Sequence, residues 1–116
     1  MKHPLLGKVA PDMAAQILGT RYLRFSSCFG IDGLARWTEI QLEVLAVHAT
    51  MPGSGQFRNF IAAAKHFFPT LCVWHDDNPI VGQALARYGF TREEIVDEFG
   101  APLRGWRWDA PQERIA

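Results

Sequence analysis

The chain has 116 residues, of which 48% are apolar and 21% are charged, and its 12 Lys and Arg residues balance its 12 Asp and Glu residues. This length and composition predict a single globular domain over residues 1–116 and exclude a disordered chain. A net charge of zero excludes an overall basic field, so we expect neither a nucleic acid nor an anionic membrane surface as a partner.

The first third of the chain predicts one short helix and one strand. Asp12 is a candidate N-cap for a helix over residues 13–18. The aromatic and small side chains of residues 22–29 are typical of a strand, and the glycines of residues 30–33 predict a turn after it.

Residues 37–47 are the strongest strand prediction, and the two faces of this strand differ. One face is apolar throughout and consists of Ile40, Leu42, Val44 and Ala46. The other face begins polar and ends apolar, and it consists of Glu39, Gln41, Glu43, Leu45 and Val47. Such a change predicts that something other than plain solvent covers part of that face.

The second half predicts two helices that alternate with strands. Apolar residues at helical spacing predict a helix over residues 56–68, and the short apolar run 71–74 is typical of a buried strand. Asn78 is a candidate cap for a second helix, which ends near Tyr88 and keeps Ile80 on its inner side.

Strands at residues 94–99 and 103–108 complete the predicted order of helix, strand, strand, helix, strand, helix, strand, strand. This order is typical of an α/β fold with a mixed β-sheet and flanking helices. The segments 42–47, 56–68 and 71–74 form a predicted parallel crossover, right-handed by the usual rule.

The turn after Val47 is the most informative stretch of the sequence. An apolar strand passes through Gly53 and Gly55 directly into the helix over residues 56–68. Glycine lets the backbone approach an anion closely, and the first N–H groups of a helix have no intrahelical partner. The stretch therefore predicts a phosphate-binding loop, and the alternative is a plain strand-to-helix turn that needs flexible residues.

Two ordered motifs in this half resemble the GCN5-related N-acetyltransferases. The loop Thr50-Met-Pro-Gly53-Ser-Gly55 is similar to the Arg/Gln-x-x-Gly-x-Gly/Ala loop that holds the pyrophosphate of acetyl-CoA in that family. The second motif opens at Asp77-Asn78-Pro79 and closes at Arg87-Tyr88-Gly89-Phe90. The resemblance covers residues 40–108 and implies an acetyltransferase-like mixed sheet with a shortened N-terminal half.

The chain departs from the family pattern at three points. Thr50 stands where the family usually has Arg or Gln, and Leu85 stands where the family has the Tyr that protonates the leaving thiolate. The N-terminal part, which builds the acceptor pocket in the family, is short. Compact, divergent relatives of this kind occur among tailed-phage proteins, and the chain looks similar to them.

The resemblance implies a binding site for acetyl-CoA. Backbone groups of Val47 and Ala49 would bind the pantetheine amides, and Arg58 would pair with a phosphate unless it is only a solvated helix charge. Asn78, at the start of the second motif, is a further cofactor-binding candidate. The main-chain N–H groups of five other residues would hold the pyrophosphate: Met51, Gly53, Ser54, Gly55 and Gln56.

Acetyl transfer to an amine benefits from a general base. Glu43 and Glu39 are the candidates because both project from one face of the predicted strand, and the alternative is that each pairs with a neighbouring Arg. His48 is interpreted as a turn or surface histidine, and the alternative is a catalytic role. The stretch His75-Asp76-Asp77 consists of consecutive residues, which rarely chelate one ion well, so we expect no metal.

The cysteines and the apolar runs bear on location. Cys28 and Cys72 are too far apart in sequence to form a redox or metal pair by spacing. No apolar run is long enough for a transmembrane helix or for the core of a signal peptide. We therefore expect a cytoplasmic protein with two reduced thiols and no membrane association.

These features lead to two hypotheses of different kinds. The first is an enzyme that transfers an acetyl group from acetyl-CoA to a small-molecule or protein amine by direct attack, with no covalent enzyme intermediate. The alternative is a catalytically inactive scaffold of the same fold, encoded by a phage, that docks on a host protein. Under either hypothesis a homodimer would cover the sheet edge that the short N-terminal part leaves open.

Overall fold

The computed structural model describes residues 2–17, 20–51, 53–74, 79–96, 99–100 and 102–111. Within these ranges the predicted α/β class, with a large mixed sheet, is confirmed. The elements in chain order are β1 (Lys2–His3), β2 (Gly7–Ile17), β3 (Thr20–Ser26), β4 (Ile31–Trp37), β5 (Gln41–Ala49), α1 (Gln56–Phe67), β6 (Thr70–Trp74), α2 (Pro79–Arg87), β7 (Thr91–Val96) and β8 (Pro102–Asp109).

The described strands form one sheet with the order β1-β2-β3-β4-β5-β6-β8-β7. Neighbouring strands are antiparallel except β5 and β6, which pair in parallel from Gln41 opposite Thr70 to Leu45 opposite Trp74. Helix α1 connects these two strands, so the predicted parallel crossover is confirmed. The sheet changes from antiparallel to parallel pairing at β5, which gives this strand two different kinds of neighbour.

Both helices cover the same face of the sheet, here called the helix face. Trp106 and Trp108 lie on this face of β8, because they alternate with Arg107 along the strand. Gly82 of α2 lies against the Trp106 ring, and the Nζ atom of Lys65 in α1 is 4.9 Å from the centre of the Trp108 ring. The opposite face, here called the second face, has no helix over it within the described ranges.

The core lies between the helix face and the inner sides of the two helices. Helix α1 contributes Phe60, Ile61 and Ala64, which recur at helical spacing and are buried. The Phe60 ring stacks on that of Phe25 in β3, with ring centres 5.9 Å apart. A fully buried side chain of this kind stabilises the fold by about 1.5–3 kcal/mol. The central strands supply the opposing layer of buried side chains: Ile31, Ala35, Leu42, Val44, Leu71 and Val73.

The helix predicted over residues 13–18 is wrong, because β2 runs from Gly7 to Ile17. Pairing with β3 breaks after Ala10 and resumes at Ala14. The interruption contains Pro11, which has no N–H to donate to a ladder. A hairpin partner therefore overrides the local helix preference of this segment, as tertiary pairing often does. The last residue of the predicted helix lies outside the described residues.

The strand predicted over residues 37–47 is two strands with a turn between them. Strand β4 ends at Trp37 and β5 begins at Gln41. The Thr38 hydroxyl accepts the N–H of Ile40 at 3.3 Å and that of Gln41 at 3.2 Å, which closes the turn. Ile40 is consequently 66% exposed instead of lying on the buried face.

Smaller differences occur at three other places. The turn after β3 comes earlier than predicted, because Ser27 Oγ accepts the N–H of Ile31 and β4 begins at that residue. Strand β7 spans Thr91–Val96, residues 97–98 of the predicted strand lie outside the described residues, and Phe99 is 87% exposed. Ile80 is 73% exposed and does not lie on the inner side of α2. The remaining predicted elements are confirmed to within three residues at each end.

Candidate functional site

A cavity of about 400 Å³ lies beside the C-terminal end of β5. Among the described residues, β5 pairs with β6 as far as Leu45 opposite Trp74, the last described residue of β6, and β5 continues to Ala49. The loop after β5, the first turn of α1 and one side of α2 bound the space that opens, which has the size of a small-molecule site. Seven of the predicted cofactor-binding residues line it: Val47, Ala49, Met51, Gly53, Gly55, Gln56 and Arg58.

A β-bulge turns the end of β5 toward this cavity. Between the Leu34/Leu45 pair and the Asp32/His48 pair, two residues of β5 face one residue of β4. The bulge reverses the alternation of faces, so Val47 packs against the core on the helix face. The prediction that Val47 and Glu43 share a face is therefore wrong.

The glycine loop leads into a helix start that no side chain caps. Gly53 and Gly55 have φ angles of 82° and 85°, which lie in the left-handed region. The first helical hydrogen bond runs from the Asn59 N–H to the Gly55 carbonyl oxygen at 3.0 Å. The N–H groups of the three residues between them therefore have no intrahelical partner. With no acidic side chain in the first turn, this positive end of the helix dipole faces the cavity unneutralised.

Two of the main-chain N–H groups that are predicted to bind the pyrophosphate already donate hydrogen bonds within the loop. The Met51 N–H donates to Gln56 Oε1 at 2.8 Å, and the Ser54 N–H donates to the Met51 carbonyl oxygen at 3.2 Å. The Gln56 side chain lies across Gly30, where a Cβ atom would come within 2.1 Å of its amide nitrogen. Both amides hold the loop in shape in this structure, and their predicted role in binding the pyrophosphate stays a prediction.

Arg58 brings a positive charge to the glycine loop. Its side chain is exposed, and a guanidinium nitrogen lies 3.5 Å from the position that a Cβ atom of Gly55 would occupy. Arg58 forms no ion pair with any residue in the described part of the chain. Its charge therefore adds to that of the helix N-terminus instead of being neutralised by a neighbouring carboxylate.

Neither predicted general base lines the cavity. Glu43 lies on the second face, where its Oε2 is 2.7 Å from Arg36 Nε and its Oε1 accepts a hydrogen bond from Gln41 Nε2 at 3.0 Å. The Glu43 side chain is 15% exposed, so this is a largely buried ion pair. Glu39 is exposed in the turn before β5 and does not project from the strand as predicted. Their catalytic roles stay predictions.

The buried charge of Glu43 acts on two neighbouring groups of the second face. Burial, followed by the Glu43 charge, raises the pKa of Tyr22 to about 12. The same two causes raise the pKa of the Cys72 thiol to about 12. Cys72 is buried as predicted, whereas Cys28 is exposed, and both are free thiols. Tyr22, Glu43 and Cys72 therefore form a polar cluster on the second face, and its role is structural.

Six residues of the cavity wall were not among the predicted site residues, and two of them, His48 and Tyr88, carry polar functional groups. His48 lines the cavity and belongs to β5, so it does not lie in a turn, but it is exposed as the surface interpretation predicts. Tyr88 also lines the cavity, with its ring centre 6.4 Å from that of Phe57. Leu85, in the position where the resemblance would have Tyr, is fully buried in the core. The spacing of Tyr88 from Val81 and Ala84 on α2 is the sequence signal that would have found it.

Some candidates cannot be placed. Asn78 and the stretch His75-Asp76-Asp77 lie outside the described residues. Among the residues that are described, no three His, Cys, Asp or Glu side chains come together as a metal site would require. In the same ranges, neither helix has the length and apolar character needed to span a bilayer.

A comparison of the chain with protein-family models, curated proteins and solved structures finds no significant match. The chemistry of the cavity is therefore argued from its own residues.

Proposed function

We propose that this domain binds acetyl-CoA in the cavity beside β5 and transfers its acetyl group to an amine. One observation carries the proposal: an uncapped helix start, preceded by two left-handed glycines, opens into the cavity beside the C-terminal end of β5. A diphosphate needs N–H donors and positive charge, and a thioester arm needs an apolar space beside them. The free N–H groups of α1, the Arg58 guanidinium and an apolar wall lie around the same cavity, which supports the proposal.

The residues present fit both ends of acetyl-CoA. The free N–H groups at the start of α1 and the guanidinium of Arg58 suit the diphosphate. The apolar walls formed by Val47, Phe57, Val81 and Ala84 suit the long pantetheine arm. The space beside Gly53 is open, because a Cβ atom at this position would have no neighbour within 4 Å.

The chain's own groups must move two protons during the reaction. Acetyl-CoA supplies an acetyl thioester, whose carbonyl carbon forms a bond to the amine nitrogen as its bond to sulfur breaks. The chain must accept one proton from the attacking amine and deliver one to the departing sulfur. His48 and Tyr88 line the cavity and carry groups able to do this. We prefer His48 to Glu43 as the base, because the Glu43 carboxylate is paired with Arg36.

Calorimetric titration with acetyl-CoA tests the binding step. The wild-type protein should release heat, and Arg58→Gln should raise the Kd roughly fivefold to tenfold by removing one charged contact with a phosphate. Arg87→Gln is the matched control, since Arg87 is an exposed arginine of α2 that does not line the cavity. Absence of heat at high micromolar wild-type protein would reject the proposal.

The second candidate function is a non-catalytic scaffold that docks on another protein. The observation that favours it is the exposed apolar rim of the cavity, where Met51 is 63% and Ile80 is 73% exposed. A scaffold should form a stable complex that Ile80→Ser weakens, and it should acetylate no member of an amine panel. Acetyl transfer to any amine that is lost in His48→Asn would favour the enzyme instead.

A further inference from the structure

A groove of about 900 Å³ lies on the second face, over the strands from β1 to β5. The strand registers place five of its residues in a single row across the sheet, here called the cross-strand row. Lys2 lies opposite Lys8, Lys8 opposite Ser26, Ser26 opposite Asp32, and Asp32 opposite His48. Directly opposed residues share a face, so the row runs along the floor of the groove.

The groove is positively charged although the chain as a whole has a net charge of zero. Lys2, Lys8 and Arg24 line it, against the single carboxylate of Asp32. None of these three cations forms an ion pair within the part of the chain that the structure describes. Two lysines directly opposite each other destabilise a strand pair, so stability does not account for the cluster. An anionic ligand that pairs with these cations would account for the cluster.

The groove meets the cavity beside β5 at His48. Among the described residues, His48 alone lines both spaces. The bulge in β5 produces this position, because it puts Val47 on the helix face while His48 stays opposite Asp32 on the second face. The two spaces thus approach β5 from opposite faces of the sheet.

We propose that the groove binds a small amine that also carries a carboxylate or a phosphate group. Lys8 and Arg24 bind the anion, and Asp32 binds the ammonium end beside His48. The Cα atoms of Lys8 and Asp32 are two strand spacings apart, roughly 10 Å, a span that long side chains can close onto a ligand of a few atoms. Under the proposed acetyltransferase function, on which this assignment rests, the amine is the acetyl acceptor.

Three matched probes test the groove without acetyl-CoA. β-Alanine, O-phosphoethanolamine and ethanolamine share a two-carbon amine and differ in carrying a carboxylate, a phosphate or a hydroxyl. In NMR titrations of the wild-type protein, one or both anionic probes should shift the amide signals of Lys8, Asp32 and His48, and ethanolamine should not. Comparison of the carboxylate probe with the phosphate probe tells which anion the groove prefers.

Variants then assign the anion contact. Lys8→Gln or Arg24→Gln should raise the Kd of the bound anionic probe roughly fivefold to tenfold, and Arg87→Gln should leave it unchanged. Equal binding of ethanolamine, or equal effects of Arg24→Gln and Arg87→Gln, would overturn the inference. If instead the proposed function is wrong and the groove inference is right, acetyl-CoA should release no heat while the anionic amines still bind.

Discussion

The glycine loop allows a paired test of the proposed diphosphate contact. Gly53 and Gly100 both have a φ angle of 82°, and at both positions a Cβ atom would have no neighbour within 4 Å. Alanine at either site therefore meets the same left-handed strain and no steric clash, which costs about 1–2 kcal/mol of unfolding free energy in each variant. Only Gly53 lies in the wall of the cavity.

Acetyl-CoA should separate these two variants. At a ligand concentration of 100 times the Kd, binding stabilises a protein by about 2.7 kcal/mol. In Gly53→Ala the backbone should relax to relieve the strain, which turns the loop amides away from the diphosphate. If the Kd for acetyl-CoA becomes tenfold weaker as a result, the stabilisation by the ligand falls to about 1.4 kcal/mol. Gly100→Ala, in the loop between β7 and β8, should keep the full gain.

Urea denaturation with and without acetyl-CoA measures both quantities. Without ligand the two variants should lose stability by the same amount within about 0.5 kcal/mol. With ligand, the gain of Gly53→Ala should be about half that of Gly100→Ala. Equal gains in the two variants would refute a role of the glycine loop in acetyl-CoA binding.

Four further predictions concern other parts of the fold. His3 Nδ1 accepts two backbone N–H groups at 3.1 and 3.2 Å, and burial lowers the His3 pKa below its ordinary value of 6.5. Because the unfolded chain then binds a proton more readily than the native protein, the free energy of unfolding should be constant above pH 6.5 and fall as the pH decreases below 6.5, by at most about 1.4 kcal/mol per pH unit. Urea titrations at a series of pH values measure this dependence. Glu43→Gln should lower stability by about 1–2 kcal/mol, less than the loss of a fully buried pair because the Arg36 side chain is 37% exposed, and should leave acetyl transfer intact. Lys65→Met should cost about 1–2 kcal/mol in thermal unfolding, because it removes a hydrogen bond to a backbone carbonyl oxygen and two ring contacts. Gly105→Ala should cost about 1–3 kcal/mol, because its Cβ atom would lie 2.4 Å from a carbonyl oxygen of β6, and Gly82→Ala should cost less.

Each of these predictions has an outcome that contradicts it. The same pH dependence in His3→Gln would show that another group titrates. Loss of acetyl transfer in Glu43→Gln with unchanged stability would return Glu43 to the role of general base. An unaltered midpoint in Lys65→Met would mean that neither the hydrogen bond nor the ring contacts of Lys65 contribute to stability. Equal costs at Gly105 and Gly82 would show that the sheet relaxes around the added methyl group.

Local signals in the sequence were sufficient for the centre of the fold. The helical spacing before Pro69, the apolar run of β6 and the two glycines of the loop each depend on neighbours in sequence. These signals place α1, the parallel pair and the cavity wall, and seven of the predicted cofactor-binding residues line the cavity. Periodicity of this kind is readable because one face of each element is buried.

Features that depend on strand register could not be predicted. The bulge in β5 is defined by the pairing of β5 with β4, so it has no local sequence signal. It moves Val47 to the helix face and places His48 between the groove and the cavity beside β5. The hairpin of β2 and β3 overrides a segment with helix preference. The Gln56 side chain reaches back along the chain to Met51, a contact that no periodic pattern records. The cross-strand row likewise draws on five strands and has no signature along the sequence.

The contrast between the two thiols makes the native chain suitable for site-selective labelling. Cys72 is buried and its raised pKa keeps it protonated, so a maleimide dye should react at the exposed Cys28 alone. Cys28 lies in the turn before β4, two residues from Gly30, against which the Gln56 side chain rests. A fluorophore at this position would report on rearrangement of the neighbouring loop as ligand is added, without any engineered cysteine.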